Sequence, residues 1–403
     1  KLEDIGKKRW FNNCAVFMKL YQVATLEASL NGVERVKDAI WRDGKIEYFI
    51  KDLIILSVWK EKVLPELLKI KPIPQHLIPT YLILYKEVTL IGMLQLLLYH
   101  SEMLNDIIDT TFIDLIDYCV YKLATINSDD LPMVAEKKLE TNAIEDIQRH
   151  NKNLKFIIST HCVCLLRFIC ENLESLPLNV ASRIYTVHDV PLLITQLLDN
   201  DTWLRRINGK VYKYSNNTWK EWFKNDPPLS EVETQIWLLI HQLLLNSTCG
   251  IVYTFSDYRK EQLSKLLRHL HEGVTDHLSP LADLKRWLLS SYFCSNEAPR
   301  VDNPLIVEIS RQFRDAIYET YEGKWHDIAL ARSKLLFYAD SKELKFIASG
   351  FSGFVENVDT LTNSLRTCFS CYNRALKKCS KCKKAWYCSR KCQVEHWSAH
   401  KNT

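Results

Sequence analysis

An all-α fold is what this sequence predicts: an irregular armadillo-like α-solenoid over residues 1–365, followed by a small cysteine-rich module over residues 366–403. Three observations predict it. Only ten glycines occur among 403 residues that are 47% hydrophobic, and none sits in a phosphate-cradling arrangement. That favours helices over sheets and leaves no P-loop or dinucleotide motif. Apolar residues recur at helical spacing, as in Phe112, Leu115, Ile116, Cys119 and Leu123, the i, i+3, i+4, i+7 stripe of one buried face. Six of the thirteen cysteines lie beyond residue 367, at regular intervals.

Taken in order, the elements begin with helix after helix from about residue 14 to 125. Leu53 to Leu68 is apolar with Pro65 inside it, which predicts a kink or break near Leu64. No run of 18 uninterrupted apolar residues exists. Thr80 to Tyr99 comes closest, is interrupted by Lys86 and Glu87, and reads as a buried helix pair rather than a membrane span. Asn127 to Asp130 is a polar loop, and a long helical region then reaches about Glu174. Val190-Pro191-Leu192-Leu193-Ile194, continued by Leu197 and Leu198, puts proline in a first helical turn before an apolar stripe, an arrangement common in armadillo-like stacks.

Between about 200 and 228 the pattern changes. Val211, Tyr212, Tyr214, Trp219, Trp222 and Phe223 surround Ser215-Asn216-Asn217, which reads as a small β-hairpin or aromatic loop inserted between helices. Its rings either pack on the stack or form a client-binding patch. Helices resume with the capping box Ser230-x2-Glu233. Stripes follow at Leu263, Leu266, Leu267 and Leu270, and at Leu281, Leu284 and Leu288. Asn296 to Pro304 is a linker, and further helices run to about Leu365. No strict repeat period is present; a compact all-α domain of another kind is the structural alternative.

Charge is uneven. From Arg366 onward there are ten Lys/Arg against the single acid Glu395, a net of +9, which leaves 43 basic and 47 acidic residues, a net of −4, for the rest. Six metal-bound thiolates would more than offset two divalent ions, so the tail is somewhat less cationic than that count. No secretory signal pattern opens the sequence, so Asn216-Asn217-Thr218 reads as a chance glycosylation sequon. Cys14, Cys119, Cys162, Cys164, Cys170, Cys249 and Cys294 are scattered on apolar faces, as core thiols in a reducing compartment would be. His161 beside Cys162 and Cys164 resembles a ligand cluster only on paper, since neighbours two apart on a helix do not face each other.

The tail reads Cys368-x2-Cys371-x7-Cys379-x2-Cys382-x5-Cys388-x3-Cys392, then His396 and His400. Two thiolates on one tight turn supply one edge of a tetrahedron, so repeated Cys-x2-Cys units signal zinc. Roughly 40 residues cannot bury enough apolar surface to fold alone, and the ligands are then the module's core.

This order of ligands, with Tyr387-Cys388, Cys392-Gln393 and His396-Trp397-x2-His400, resembles a MYND-type zinc finger. The resemblance implies two structural Zn²⁺. One would be held by Cys368, Cys371, Cys388 and Cys392, the other by Cys379, Cys382, His400 and an eighth ligand expected about four residues beyond His400. His396 is not a ligand in that family. The resemblance also implies that the finger binds a short partner peptide through Gln393, Trp397 and the strand edge near Ser380; the plainer alternative is that Trp397 packs over the second zinc.

Further motifs recur in order along the chain: Val58-Trp59-Lys60-x-Lys62-Val63-x-Pro65, Asp114-Leu115-Ile116-Asp117-Tyr118-Cys119, Pro191-Leu192-Leu193, Trp203-x-Arg205-Arg206, Gly209-Lys210 and Gly323-Lys324-Trp325. Together they resemble the MYND-finger dynein-arm assembly factors of ciliated cells. That resemblance implies a cytoplasmic, non-enzymatic adaptor for preassembly of axonemal dynein chains, its clients. Expected partners are a leucine-rich-repeat/CS-domain assembly factor, Hsp90-type chaperone machinery and a prolyl-isomerase co-chaperone. Centriolar satellites or the apical cytoplasm near the ciliary base are further expected locations.

Enzyme readings lack their motifs. No Asn-His dipeptide exists for a SET methyltransferase, no histidine has Asp two residues on for an oxygenase triad, and His271-Glu272 has no histidine at 275. A nucleic-acid reading rests on Arg374, Lys377, Lys378, Lys381, Lys383, Lys384, Arg390 and Lys391, which also suit exposed turns around metals. Neither nucleic acid nor membrane is therefore expected as a partner. A nuclear transcriptional corepressor-type adaptor is the alternative function. A salt series in filter binding separates DNA from peptide binding, since only the former loses affinity steeply with salt.

Overall fold

Helix-forming apolar stripes account for most of the architecture, with side-chain caps at Asn142, Ser230, Asn246 and Ser256. The computed structural model describes residues 1–30, 33–71, 73–99, 107, 109–126, 142–290, 312–351, 368, 370–371, 375, 377–380 and 385–400. The helices are α1 (Lys8–Ser29), α2 (Arg35–Arg42), α3 (Ile46–Val58), α4 (Leu64–Lys69), α5 (Ile78–Leu98), α6 (Asp109–Ala124), α7 (Ala143–Glu171), α8 (Leu178–Ser182) and α9 (Val190–Asp199). After a small sheet come α10 (Glu231–Leu245), α11 (Ser247–Val252), α12 (Asp257–Ser264), α13 (Glu272–His277) and α14 (Pro280–Leu288). Then follow α15 (Phe313–Tyr321), α16 (Trp325–Phe337) and α17 (341–351). The loop Asn127 to Asp130, the linker Asn296 to Pro304 and Cys294 lie outside the described residues.

The predicted stripes are the buried faces. Phe112, Leu115, Ile116, Cys119 and Leu123 are all buried on α6, as are Leu263, Leu266 and Leu270, and Leu281, Leu284 and Leu288. Ser230 caps α10 as a full box: its hydroxyl accepts the Glu233 N–H, and the Glu233 carboxylate accepts the Ser230 N–H. Cys14, Cys119, Cys162, Cys164, Cys170 and Cys249 are buried and unpaired. His161 turns to Gln95 rather than to its neighbouring thiols.

Layering follows chain order. α1 and α3 pack on α5, α5 and α6 on α7, α7 on α10, and α10 on α9 and α14. The C-terminal helices then leave this sequence of neighbours. α15 packs on α3, and α16 on α4 and α5. The N–H groups of Gln75 and His76 donate to the Phe337 carbonyl at 3.0 and 3.2 Å, and the Phe313 N–H donates to Asp114 Oδ1 at 3.0 Å. In a strictly one-dimensional stack each unit touches only its neighbours; here a late helical pair folds back onto the first layers.

One expectation is corrected. Thr80 to Tyr99 does not form a helix pair: α5 is one unbroken helix through Lys86 and Glu87, because both charges are accommodated inside. The Glu87 carboxylate is fully buried and meets Lys60 Nζ at 2.6 Å, Lys122 Nζ at 2.8 Å and the donating Tyr118 hydroxyl at 2.8 Å. Burial alone would raise Glu87, but Lys122 and Lys60 hold it down to about 2. α5 and α7 are each long and apolar enough to cross a membrane, yet 72% and 67% of their most apolar windows are buried in the protein, as in core helices.

The kink or break expected near Leu64 takes the form of a π-turn with no gap in the helix. The chain widens into a π-turn at Trp59–Val63 and re-enters α4 with proline in its first turn, which absorbs the missing N–H. The widened turn carries Lys60 to Glu87. A second π-turn, Arg183–Val187, carries Arg183 to Asp117, with Nε and Nη2 both donating at 2.7 Å.

The aromatic insertion exceeds a hairpin. β1 (Leu204–Ile207), β2 (Lys210–Ser215) and β3 (Thr218–Trp222) form an antiparallel meander. Both turns are two-residue links with positive φ throughout, Asn208-Gly209 and Asn216-Asn217, the geometry that matches strand twist. Tyr214 and Trp219 pack their rings near Phe156 of α7, so much of the cluster is packing.

Gly92 marks the closest approach in the core. A methyl group there would come within 2.8 Å of Tyr21 Cζ on α1. We expect Gly92→Ala to cost about 1–3 kcal/mol by overpacking, relieved in part when Tyr21→Phe removes the nearest atom, the hydroxyl oxygen. A thermal melt of the single and double variants reads this out; an unchanged single variant would mean that the two helices separate easily here.

Candidate metal centre

The finger's strands β4 (Lys377–Lys378) and β5 (Trp386–Tyr387) pair antiparallel, Lys377 opposite Tyr387 and Lys378 opposite Trp386. The Cys379 N–H donates to the Ala385 carbonyl at 2.8 Å and extends the pairing. After β5 the chain bends at Cys388-Ser389 and enters α18 (Arg390–His400). Ser389 Oγ accepts the Cys392 N–H at 3.3 Å, an N-terminal cap that fixes Cys392 one turn beyond Cys388.

Cys368, Cys371, Cys388 and Cys392 are thereby brought together, with all four Sγ atoms within 4.8 Å of one another. The Cys371–Cys388 and Cys388–Cys392 sulfurs are 3.4 and 3.5 Å apart. A tetrahedral Zn–S distance of about 2.3 Å requires sulfurs about 3.8 Å apart, so the donor set fits zinc with a small expansion. Burial opposes the Cys368 thiolate, but N–H groups of Cys371, Cys388 and Ser370 directed at the sulfur bring it down to about 6. Hydrogen bonds with Cys371 and Cys392 push Cys388 up to about 12. Four thiolates this close would need a cation, which Zn²⁺ would supply.

Around this centre, among the described residues, Cys368, Ala375, Cys379, Ala385 and Tyr387 are buried, with Trp386, Cys388 and Cys392 packed against them, a core too small to hold the segment without metal. Of the second predicted set, Cys379 is buried beside the strand pair and His400 ends α18, while Cys382 lies outside the described residues. Arg374, Lys381, Lys383 and Lys384 of the basic run lie outside them too. His396 Nδ1 pairs with the Tyr387 hydroxyl at 3.0 Å and its ring stacks on His400.

Gln393 and Trp397 stand one turn apart on α18, with Ser380 exposed in the turn after β4. The Trp397 ring meets His400 edge-on at 6.0 Å and remains 38% exposed. The Tyr387–His396 link has no spacing signature and emerges only in the fold.

Comparison with known proteins agrees with this geometry. The family described as "MYND finger" matches residues 368–403. The C-terminal segment of this chain is a MYND finger. Over its full length, finger included, the chain is 28% identical over 433 aligned residues to the zinc finger MYND domain-containing protein 10 homolog of Drosophila melanogaster, covering all of this chain and 94% of that protein. A stretch of 41 residues, 10% of this chain, is 49% identical to ubiquitin carboxyl-terminal hydrolase 15 of Arabidopsis thaliana, of which it covers 4%. No solved structure matches the chain.

Proposed function

We propose that this chain is a non-enzymatic adaptor of the cytoplasm that assists preassembly of axonemal dynein arms, its MYND finger capturing a partner peptide. One observation carries the reading: similarity to a zinc finger MYND domain-containing protein 10 homolog runs through the helical body as well as the finger. In the proposal, the helical body is an irregular armadillo-like scaffold whose ends are tied by α15 and α16. A second Zn²⁺ belongs to Cys379, Cys382 and His400. Partners are a leucine-rich-repeat/CS-domain assembly factor and chaperones of the Hsp90 type with a prolyl-isomerase co-chaperone, and axonemal dynein chains are the clients.

Capture uses the face bearing Gln393 and Trp397. An exposed indole beside a short strand edge suits peptide recognition, since main-chain pairing gives affinity and an aromatic slot reads a side chain. Trp397→Ala should weaken partner-peptide binding by about 2 kcal/mol or more, roughly 30-fold, with zinc content unchanged. Calorimetric titration alongside metal analysis tests this. Loss of zinc in step with loss of binding would make Trp397 a structural residue instead.

A further inference from the structure

A cavity of about 430 Å³ opens between the N-terminal segment, α1, α3 and α5, far in sequence from the finger. Trp10, Cys14 and Phe17 line it from one face of α1, Phe49 and Asp52 from α3, and Lys86 from α5. Lys86 is only 5% exposed. Its ammonium lies 3.2 Å from the centroid of the Phe17 ring, and no carboxylate is within ion-pairing distance of it among the described residues.

The next residue shows what this fold does with a charge it must bury. Glu87 receives two lysines and a tyrosine. Lys86 receives an aromatic face and a cavity. A buried ammonium without an oxygen acceptor is costly, and burial lowers Lys86 to about 8, with Cys14 and Asp52 compensating only in part. Asp4 at the rim is already engaged by Lys7 Nζ at 2.5 Å, and burial raises Asp52. Lys86 therefore presents its ammonium to the cavity, where an oxygen acceptor brought from outside the chain can meet it.

We propose that this cavity binds a carboxylate carried on an apolar stem, the carboxylate meeting Lys86 and the stem lying against Trp10 and Phe49. Such a group comes either from a free aryl or alkyl carboxylate or from an acidic side chain next to an aromatic residue in a peptide. The site is independent of the metal centre and adds a second recognition point to the adaptor.

Calorimetric titration of the full chain with 1-naphthylacetate and with a blocked Phe-Asp peptide tests the proposal, with the methyl ester and the Phe-Asn peptide as controls. At least one acid should bind below millimolar concentration, and its neutral control should not. Binding of the naphthyl acid alone assigns the site to a free carboxylate, and binding of the peptide to a partner's side chain. Lys86→Met should weaken the acid about tenfold or more with an unchanged or higher melting temperature, because a buried charge is removed. Asp52→Asn, which removes a like charge, should tighten it severalfold and serves as the second variant if Lys86→Met does not fold. Failure of both acids to bind, equal binding of the neutral controls, or unchanged affinity in both variants would overturn the assignment.

Discussion

Cys388→Ser is expected to abolish the first zinc and unfold the finger while leaving the melting of the helical body in place. Cys388 sits within 3.5 Å of two of its three partner sulfurs, so its loss opens the tetrahedron rather than trimming its edge. Structural zinc in small modules carries about 10–16 kcal/mol of apparent binding free energy at neutral pH. The finger's few buried residues cannot replace that. The body has its own continuous core, from Leu2 to Ile347, and so should melt as before. Metal analysis and calorimetry on the same sample decide it. Retention of the wild-type zinc content, or a collapse of the body's transition, would contradict the assignment of these four sulfurs as the finger's core.

The second large effect is expected at Glu87, where Glu87→Ala should destabilise the helical body by about 3–5 kcal/mol. The substitution leaves Lys60 and Lys122 facing each other with no counter-charge in a closed interior. Combining it with Lys60→Met and Lys122→Met should recover most of the loss, since an apolar trio of similar volume removes the unpaired charges. A pH dependence follows. Glu87 is held down to about 2 in the fold and returns to roughly 4.3 when unfolded. Its contribution, about 3 kcal/mol, is fully present above the unfolded value. It is lost as pH falls from there toward about 2. Chemical denaturation at pH 7 and pH 3 reads both effects; a single variant within about 1 kcal/mol of wild type would mean that water enters the cluster.

The sequence was most informative where chemistry is local. Helical stripes, the Ser230 capping box and the cysteine spacing each depend on residues a few positions apart, and each reappears in the structure. It was least informative where distant segments meet. Lys86 and Glu87 read as an interruption of an apolar run, because their partners Lys60, Lys122 and Phe17 come from other helices. Pro65 read as a kink or break near Leu64, but the form it takes, a π-turn that re-aims Lys60, has no composition of its own. Asn208-Gly209 does carry the signal for a first tight turn, but a reading centred on Ser215-Asn216-Asn217 finds one hairpin instead of three strands. The return of α15 and α16 to the first layers rests on contacts such as Arg314 with Glu61, which no periodicity announces. In the finger, spacing signalled zinc and the resemblance to a MYND finger named the four ligands that converge, whereas the Tyr387–His396 bond required the fold.

Affinity purification from ciliated cells, using the full chain and a chain ending at Leu365, tests the adaptor reading most directly. The account predicts axonemal dynein chains and chaperones with the full chain, and loss of the assembly-factor partner when the finger is removed. Recovery of histone deacetylase-type corepressors in place of dynein chains would contradict it.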